Sequence, residues 1–410
     1  MRKIFKSELG KGAFTLFVTM GIFFFLNFVF HFTMGRILGP AGYGILATLM
    51  SFVYLYGAPT EAIQNVVTRY TANLNLKKEN GKIKFLLLKS LKKGFVISTA
   101  LFLIAIIPSI YAASLLKIDL ILILLTNAFL FSSFSLPVVR GVLQGRKKFT
   151  ALGIGMMAES VLKLTSAIFL VMIGWQVFGA MIGVIIGVLA SFILSFYMNS
   201  EILKENKEKI EFDNIYSKSV PYFVSMFVIL LMLSMDIIVV RWLFSSNPEV
   251  VGSYAVLSMM GKMIFFGTMA IGKAMFPLTS EKYDSNKEKD GSKLFRKSFF
   301  VVLLICLISI MIYTIFPKFI INLFYGSQYT GVASLLKYSG ISLSFLSLTN
   351  LVVIYGLSTN RLKKSYLMLF YFIITLVLLY FFHSSLIEYM LAFMVSNIIM
   401  FIGVLFLVKK

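Results

Sequence analysis

The chain has 410 residues, of which 59% are hydrophobic, and it carries a formal net charge of +22 at pH 7. Such a composition leaves too little polar surface to cover a soluble domain, so it predicts an integral membrane protein. The single cysteine, Cys306, excludes an intrachain disulfide and a cysteine cluster for zinc.

Runs of roughly 20 apolar residues are long enough to cross a bilayer as helices. The chain contains twelve such runs, near residues 13–34, 43–68, 94–113, 120–139, 150–173, 177–199, 219–244, 251–276, 298–316, 331–357, 365–383 and 387–408. The expected fold class is therefore an all-α integral membrane protein with twelve transmembrane helices.

Lysine and arginine residues are concentrated in alternate breaks between these predicted helices, that is, on one side of the membrane. Of the 39 basic residues, 31 lie in every second break between the runs and 5 lie inside the runs. The other breaks hold only Arg36, Lys117 and Lys318. By the positive-inside rule, the sequence predicts a multi-pass protein of the cytoplasmic membrane with both termini in the cytoplasm. An anionic leaflet explains the basic charge, so no nucleic-acid partner is expected.

A polar stretch at residues 200–218 divides six runs from six. We expect an N-terminal six-helix lobe at 1–199, a cytoplasmic inter-lobe linker at 200–218 and a C-terminal six-helix lobe at 219–410. Three short segments recur between the halves, at offsets of 211, 204 and 215 residues, and they begin at Tyr43 and Tyr254, Leu91 and Phe295, and Gly141 and Gly356. Because both halves start inside, the repeat is parallel, an arrangement that predicts two lobes around a central cavity in an alternating-access transporter.

The second run contains a polar patch directly after a helix interruption. Gly57 and Pro59 interrupt the helix. Five polar residues then follow at helical spacing, namely Thr60, Glu61, Gln64, Asn65 and Thr68. We expect this face to line water and interpret Glu61 as a candidate for ion or proton coupling. By the repeat offset the patch corresponds to the Lys273 end of the eighth run, which predicts an acidic wall in one lobe opposite a basic wall in the other.

Two short motifs stand out in the first 150 residues, GRILGPAGYG at 35–44 and RGVLQGR at 140–146. The first motif is typical of a tight turn at Gly39, or else contacts substrate, and Arg36 within it is a candidate for substrate binding. The second places positive charge at a cytoplasmic helix end, which topology and the helix dipole explain. Alternatively Arg140, which lies deeper than the other cations, grips the pyrophosphate of a lipid carrier.

With these motifs and its division into lobes, the chain resembles the polysaccharide-biosynthesis flippases. These form the O-antigen-type oligosaccharide branch of the multidrug/oligosaccharidyl-lipid/polysaccharide (MOP) exporter superfamily. The resemblance implies translocation of an oligosaccharide, linked to lipid through phosphate or pyrophosphate, for cell-surface glycan assembly. It also implies contact with membrane lipid, H⁺ or Na⁺ as a coupling ion, and glycan-assembly enzymes as partners. No cofactor, metal site or enzymatic activity is expected.

Charged residues inside the runs are the main site candidates, because a charge at the bilayer centre costs about 2.5 to 3.5 kcal/mol and should face a partner or water. On the fifth run, Glu159 and Lys163 lie four residues apart and share one helix face. They either form a self-satisfied ion pair or line the cavity. In the second case Lys163 would bind substrate and Glu159 would couple transport to an ion.

Lys262 on the eighth run has no acidic residue three or four positions away, and Lys273 lies eleven residues on, near the same face. This cationic stripe predicts an anionic cargo, with Lys262 as the favoured phosphate ligand. Lys273 lies near the cytoplasmic end, where it can also snorkel to the interface. On the seventh run, Asp236 is either a coupling residue or the ion-pair partner of Arg241.

Two other functions stay open on the sequence. A multidrug or cation antiporter of the same superfamily would favour an acidic cavity, whereas basic residues outnumber acidic ones within the runs. A membrane-embedded glycosyltransferase or polymerase acting on lipid-linked glycans would need a large outer loop, and the predicted outer loops are short. Residues 267–273 imitate the start of a P-loop, but Ala274 replaces the hydroxyl residue and no strand precedes it, so ATP hydrolysis is not expected.

Overall fold

The computed structural model describes residues 8–209, 220–362 and 364–408, and the regular secondary structure in these ranges is helical throughout. The predicted all-α fold class is thereby confirmed. In this part of the chain, nine helices are long and apolar enough to cross a membrane.

Two of these nine helices are too long for a single crossing. Val18–Leu76 has 59 residues and Phe149–Tyr197 has 49, whereas a bilayer core needs about 20 helical residues. Each of the two contains two predicted runs, and the shorter apolar helix Leu367–Phe381 contains another. The described helices therefore account for all twelve predicted runs.

Glycines with positive φ interrupt both long stretches. Gly39 has φ 67° and ψ 177° within the helix Glu8–Tyr56, and Gly174 has φ 97° in the short π-helical turn Val171–Trp175. Residues with a side chain rarely adopt this backbone conformation, so both positions favour glycine. The geometry at Gly39 agrees with the tight-turn interpretation of the motif at 35–44.

The chain folds into two units. Unit 1 comprises Met1–Leu38 and Phe52–Asp213, and unit 2 comprises Gly39–Ser51 and Asn214–Lys410. Counted along the chain, the first eight helices are α1 Glu8–Tyr56, α2 Ala58–Leu76, α3 Asn80–Leu116, α4 Leu120–Asn127, α5 Phe129–Gly145, α6 Phe149–Leu170, α7 Gln176–Tyr197 and α8 Ser200–Leu203.

The remaining helices belong to unit 2. They are α9 Val220–Leu243, α10 Pro248–Asp284, α11 Glu288–Ile315, α12 Pro317–Tyr325, α13 Leu336–Ser358, α14 Leu367–Phe381 and α15 Leu386–Val408, with a 3-10 helix at Ser327–Leu335. α12 and the 3-10 helix lie between the predicted runs at 298–316 and 331–357, and the 3-10 helix overlaps the start of the second of these runs.

The two units use the same internal packing. In unit 1, α5 contacts α2, α3 and α7, and in unit 2 its counterpart α13 contacts α10, α11 and α15. Left-handed backbone residues also recur after matching helices. Lys78 and Asn286 are 208 positions apart, and Lys147 and Asn360 are 213 apart. Both spacings lie within the range of the sequence offsets, as a parallel repeat requires.

The first part of the predicted linker packs on unit 1. Lys84 Nζ donates hydrogen bonds to the carbonyl oxygens of Leu203 (2.6 Å) and Glu205 (2.8 Å), and the Glu208 N–H donates to the Gly81 carbonyl (3.2 Å). Residues 210–218 of the linker lie outside the described residues. The lobe boundaries at 199 and 219 therefore stay predictions.

Candidate functional site

Unit 1 contains a polar centre at the junction of α5, α6 and α7. Arg140 on α5 forms an ion pair with Glu159 on α6, and the same guanidinium nitrogen donates to Ser191 Oγ on α7 (2.7 Å). The Arg140 and Glu159 side chains are 11% and 14% exposed. Arg140 was predicted to bind substrate and Glu159 to couple transport to an ion. The structure brings these two candidates together as partners.

Lys163 has a different partner from the one expected on its own helix. Its ammonium donates to Asn27 Oδ1 on α1 (2.6 Å) and lies 4.2 Å from the centre of the Phe30 ring. Glu159 and Lys163 therefore do not form a self-contained pair, because each side chain is hydrogen-bonded to another helix, although the Glu159 charge still acts on Lys163. An arginine on a facing helix approaches Glu159 with a planar fork of donors, which suits a carboxylate better than a flexible ammonium.

The polar patch of α2 separates into two stripes. Thr60, Gln64 and Thr68 face α5, where they donate to Ser133 O (3.3 Å), Gln144 Oε1 (2.8 Å) and Gly141 O (3.3 Å). Glu61 and Asn65, one position further round the helix, are exposed. The prediction that all five residues share one water-lining face is therefore wrong, because three of them contact α5. Each residue turns a helix by about 100°, so neighbouring positions face different surroundings.

Unit 2 has its own buried charge centre, around Asp236 on α9. Asp236 Oδ1 lies 3.4 Å from Lys262 Nζ on α10, and Oδ2 accepts hydrogen bonds from Ser258 (2.5 Å) and Tyr254 (3.3 Å). Tyr389 on α15 donates to the Asp236 backbone carbonyl (2.6 Å). Both oxygens of this carboxylate are therefore engaged by donors from the protein.

This arrangement changes two interpretations made from the sequence. Asp236 forms an ion pair with Lys262, a partner that neither of the two alternatives for Asp236 had included. Lys262 does have an acidic partner, but on the neighbouring helix rather than its own. Tyr254 and Ser258 were not among the site residues predicted from the sequence. Their spacing with Lys262, at four and eight residues along one helix face, was the available signal.

A small cavity adjoins the Asp236 cluster within unit 2. Its volume is about 10 Å³, and its lining includes Tyr254, Ser258, Ser339 and Ser342. A space of this size holds about one water molecule. The cavity is far too small for an oligosaccharide.

Three candidates lie at exposed positions. Lys273 is exposed on α10, Glu61 on α2 and Arg36 on α1, the last of these before the Gly39 interruption. Lys262 is only 1% exposed, so the predicted cationic stripe of Lys262 and Lys273 does not form one accessible surface. Near Lys262, the close approach of α13 to Gly261 covers the helix: a Cβ added at Gly261 would lie 2.5 Å from Ser339 Oγ.

Comparisons with solved structures identify the fold. An inward-facing multidrug resistance MATE family transporter of the MOP superfamily superposes with a TM-score of 0.74, at 13% identity over 96% of this chain and 98% of that chain. An outward-facing structure of such a transporter gives 0.67, at 15% identity over 98% and 96%. A MOP superfamily transporter from Pyrococcus furiosus, whose binding pocket is described as having reverse polarity that suggests a different function, gives 0.66, at 15% identity over 98% and 97%. The fold is that of a MOP-superfamily transporter.

Family models narrow the assignment. Residues 9–283 match the family model for polysaccharide biosynthesis proteins, and residues 221–381 match the MatE model. The first match covers more than half of the chain, so the chain belongs to the polysaccharide biosynthesis protein family within the MOP exporter superfamily. The resemblance drawn from the sequence motifs is confirmed. No curated protein sequence matches the chain.

Proposed function

We propose that this protein is a flippase that moves a lipid-linked oligosaccharide across the cytoplasmic membrane. The cargo would be joined to its lipid through phosphate or pyrophosphate and destined for cell-surface glycan assembly. Both termini would lie in the cytoplasm, and the lobes would alternate access to the two sides. Glycan-assembly enzymes would supply and consume the cargo, and the chain itself would carry out no chemistry.

Family membership does not specify the cargo, but the pairing of the charged residues within the spans supports an anionic one. Glu159 is already paired with Arg140, and Asp236 is already paired with Lys262. These two carboxylates are therefore neutralised by cations of the protein and offer little to a cationic drug. Lys273 and Arg36 are exposed, and a phosphate group attracts such side chains strongly. The charge pattern thus favours an anionic cargo.

The fold by itself leaves the cargo open. The Pyrococcus furiosus relative is described as having a pocket of reverse polarity, so pocket charge varies on this fold. Among the residues chosen from the sequence, Lys273 is the stronger candidate for a phosphate ligand than Lys262, because Lys273 is exposed whereas Lys262 is almost fully buried. Glu61 is the stronger coupling residue than Glu159 or Asp236, because its carboxylate is exposed. The lipid tail would stay in the bilayer while the glycan crosses.

Reconstitution into liposomes tests the proposal. A pyrophosphate-linked lipid oligosaccharide is incorporated on one side, and the glycan is detected on the other side with an impermeant glycosidase. Lys273→Gln should lower the initial rate about tenfold or more, the effect of losing one charge-assisted hydrogen bond. Lys318→Gln on α12, an exposed lysine outside the long helices, is the matched control. Absence of translocation by the unaltered protein, or equal rates for the two variants, would contradict the proposal.

A multidrug or cation antiporter is the second candidate, and the MatE match over residues 221–381 favours it. In this case the same liposomes should take up a cationic dye against an H⁺ or Na⁺ gradient. Glu61→Gln should then abolish dye uptake, whereas in a flippase it should remove only the dependence of glycan translocation on the gradient.

A further inference from the structure

A short helix of unit 2, α12, directly follows the long apolar helix α11. α12 spans Pro317–Tyr325 and has 9 residues. An α-helix of this length rises by about 13 Å, less than half of the roughly 30 Å of a bilayer core. α12 therefore does not cross the membrane. Large apolar side chains on it or next to it are nevertheless exposed, namely Phe316 (56%), Phe319 (66%) and Leu323 (53%).

One side of α12 is fixed to the protein. Ile320, Ile321 and Tyr325 are buried against the rest of unit 2. Tyr325 also packs edge-on against Tyr329 of the 3-10 helix, with ring centres 5.8 Å apart. The position of α12 on unit 2 is therefore set by apolar contacts along this side.

The exposed side chains of α12 form two further faces. Phe316, Phe319 and Leu323 follow one another at spacings of three and four residues, so they share one face, which we call the apolar face. Lys318 and Asn322 are also exposed and lie four residues apart, and we call their side of the helix the polar face. Because each residue turns a helix by about 100°, the two faces point in directions about 100° apart.

The apolar and polar faces run side by side along the helix. The first turn of α12 exposes Lys318 and Phe319. The next turn exposes Asn322 and Leu323. A helix that pointed along the membrane normal would instead change from apolar to polar between its two ends. The lengthwise division is typical of a helix that lies in the plane of a membrane surface, with one side in lipid and another in water.

The apolar face of α12 continues an exposed apolar surface of α11. In the most apolar part of α11, only 17% of the residues are buried within the protein. Its exposed side chains recur every three or four residues up to its end, at Phe300, Leu304, Leu307, Met311 and Ile315. Such a surface requires lipid around it rather than water. Because Phe316 follows Ile315 directly, the lipid that covers α11 extends to α12.

The chain order indicates which membrane surface α12 occupies. Three apolar helices, α13, α14 and α15, separate it from the C-terminal end. With an odd number of crossings between them, α12 lies on the side opposite the C-terminus. In the predicted orientation this is the outer surface of the membrane.

We propose that α12 is an interfacial helix whose partner is the phospholipid surface beside the end of α11. The apolar face enters the boundary between head groups and acyl chains, while the polar face stays in water. Raising α12 would expose the apolar face to water, and lowering it would bury the Lys318 ammonium in hydrocarbon. α12 therefore fixes the depth of this end of unit 2 in the bilayer.

Nitroxide spin labels test this placement. Cys306 is replaced by Ser, and single cysteines are introduced on both faces by Phe316→Cys, Lys318→Cys, Phe319→Cys, Asn322→Cys or Leu323→Cys. These positions are exposed, so a label displaces no buried side chain. The labelled proteins are reconstituted into phosphatidylcholine liposomes. Oxygen, which concentrates among acyl chains, and a water-soluble nickel chelate then relax the label, and the ratio of their effects gives its depth.

Labels on the two faces should give opposite results. On the apolar face, oxygen should dominate at all three positions, at one common depth about 5 to 10 Å below the head groups. On the polar face, the nickel chelate should dominate. Leu304→Cys on α11 is the reference and should lie deepest, because it is about 18 Å from Phe316 along a helix. If α12 pointed along the membrane normal, labels at Phe316 and Leu323 would differ in depth by about 10 Å.

Three outcomes would overturn the proposal. Nickel access at every position of α12 would place the helix in water, and a depth difference of about 10 Å across the apolar face would contradict the in-plane orientation. Low access to both agents, with signals broadened by a neighbouring label, would show that a second copy covers this face. The three positions of the apolar face report independently, so the test survives if one variant fails to fold. No cargo is needed, so the result does not depend on the proposed function.

Discussion

Asp236 and Lys262 form an ion pair inside unit 2, with side chains that are 0% and 1% exposed. The charges lie on different helices, α9 and α10, and two hydroxyl groups of α10 complete the shell of the carboxylate. A buried pair of this kind contributes little net stability, yet breaking it leaves one charge stranded. Replacing either residue alone should therefore destabilise the protein, because the other charge stays buried without a partner.

Removing one partner of this pair should destabilise the protein strongly. We expect Lys262→Met to lower the free energy of unfolding by about 3 to 5 kcal/mol, because the Asp236 carboxylate is left without a counter-ion. The double variant Asp236→Asn, Lys262→Met should recover most of this loss. Thermal unfolding of the purified protein in detergent measures both effects.

The double variant also separates a structural role from a substrate-binding one. If Lys262 acts only as the partner of Asp236, the stabilised double variant should translocate glycan at a normal rate. A double variant that is stable but inactive would show that the pair also acts in transport, through Lys262 at the cargo or through Asp236 in ion coupling. An equally unstable double variant would contradict the pairing.

Breaking the Arg140–Glu159 ion pair of unit 1 should also destabilise the protein, but by less, because its side chains are partly exposed. Glu159→Gln removes the counter-ion of Arg140, and we expect a loss of about 1.5 to 3 kcal/mol, the range for a hydrogen bond to a charged group. Ser191→Ala, which removes the weaker contact of Arg140, is the control and should cost less. Equal losses in the two variants would argue against the ion pair.

Hydropathy predicted the long apolar helices of the described residues, because a bilayer core requires apolar runs of about 20 residues. The partners of the charged side chains could not be predicted in this way. The search for partners along one helix missed Arg140 for Glu159 and Asp236 for Lys262, since each acid meets a base from another helix. Helix periodicity gives the face of a side chain, but which helix covers that face is set by tertiary packing. For the same reason nothing local indicated that Gly39–Ser51 would pack with unit 2.

The glycines of the motif at 140–146 should prove to be packing positions. A Cβ at Gly145 would lie 2.6 Å from Thr71 Cβ, and one at Gly141 would lie 2.9 Å from Val67 Cβ, both on α2. Gly141→Ala and Gly145→Ala should therefore each cost about 1 to 3 kcal/mol through overpacking. Gly21→Ala on α1, where no atom lies within 4 Å of the added Cβ, should be neutral or slightly stabilising. Unchanged stability with lost translocation would instead assign these glycines to cargo binding.

The attachment of α8 to unit 1 should depend on pH only in strong acid. Glu201 on α8 accepts hydrogen bonds from Lys148 (2.7 Å) and Arg146 (3.0 Å), which follow the C-terminal end of α5. The bond from Lys148, followed by that from Arg146, lowers the pKa of Glu201 from its ordinary value of 4.5 to about 2. Because the pKa is lowered in the folded state, its stabilising effect is present above pH 4.5 and is lost as the pH falls towards 2.

Hydrogen exchange at residues 200–209 measures this attachment. Exchange should be constant between pH 5 and 8 after correction for the intrinsic rate, and should rise between about pH 4.5 and 2. Glu201→Gln should show the faster exchange already at neutral pH. Glu281→Gln, an exposed glutamate of unit 2, should leave it unchanged. Added salt should also weaken the contact, because the Glu201 side chain is 67% exposed and its charge is screened. A transition centred near pH 6 would mean that a group other than Glu201 controls the attachment of α8.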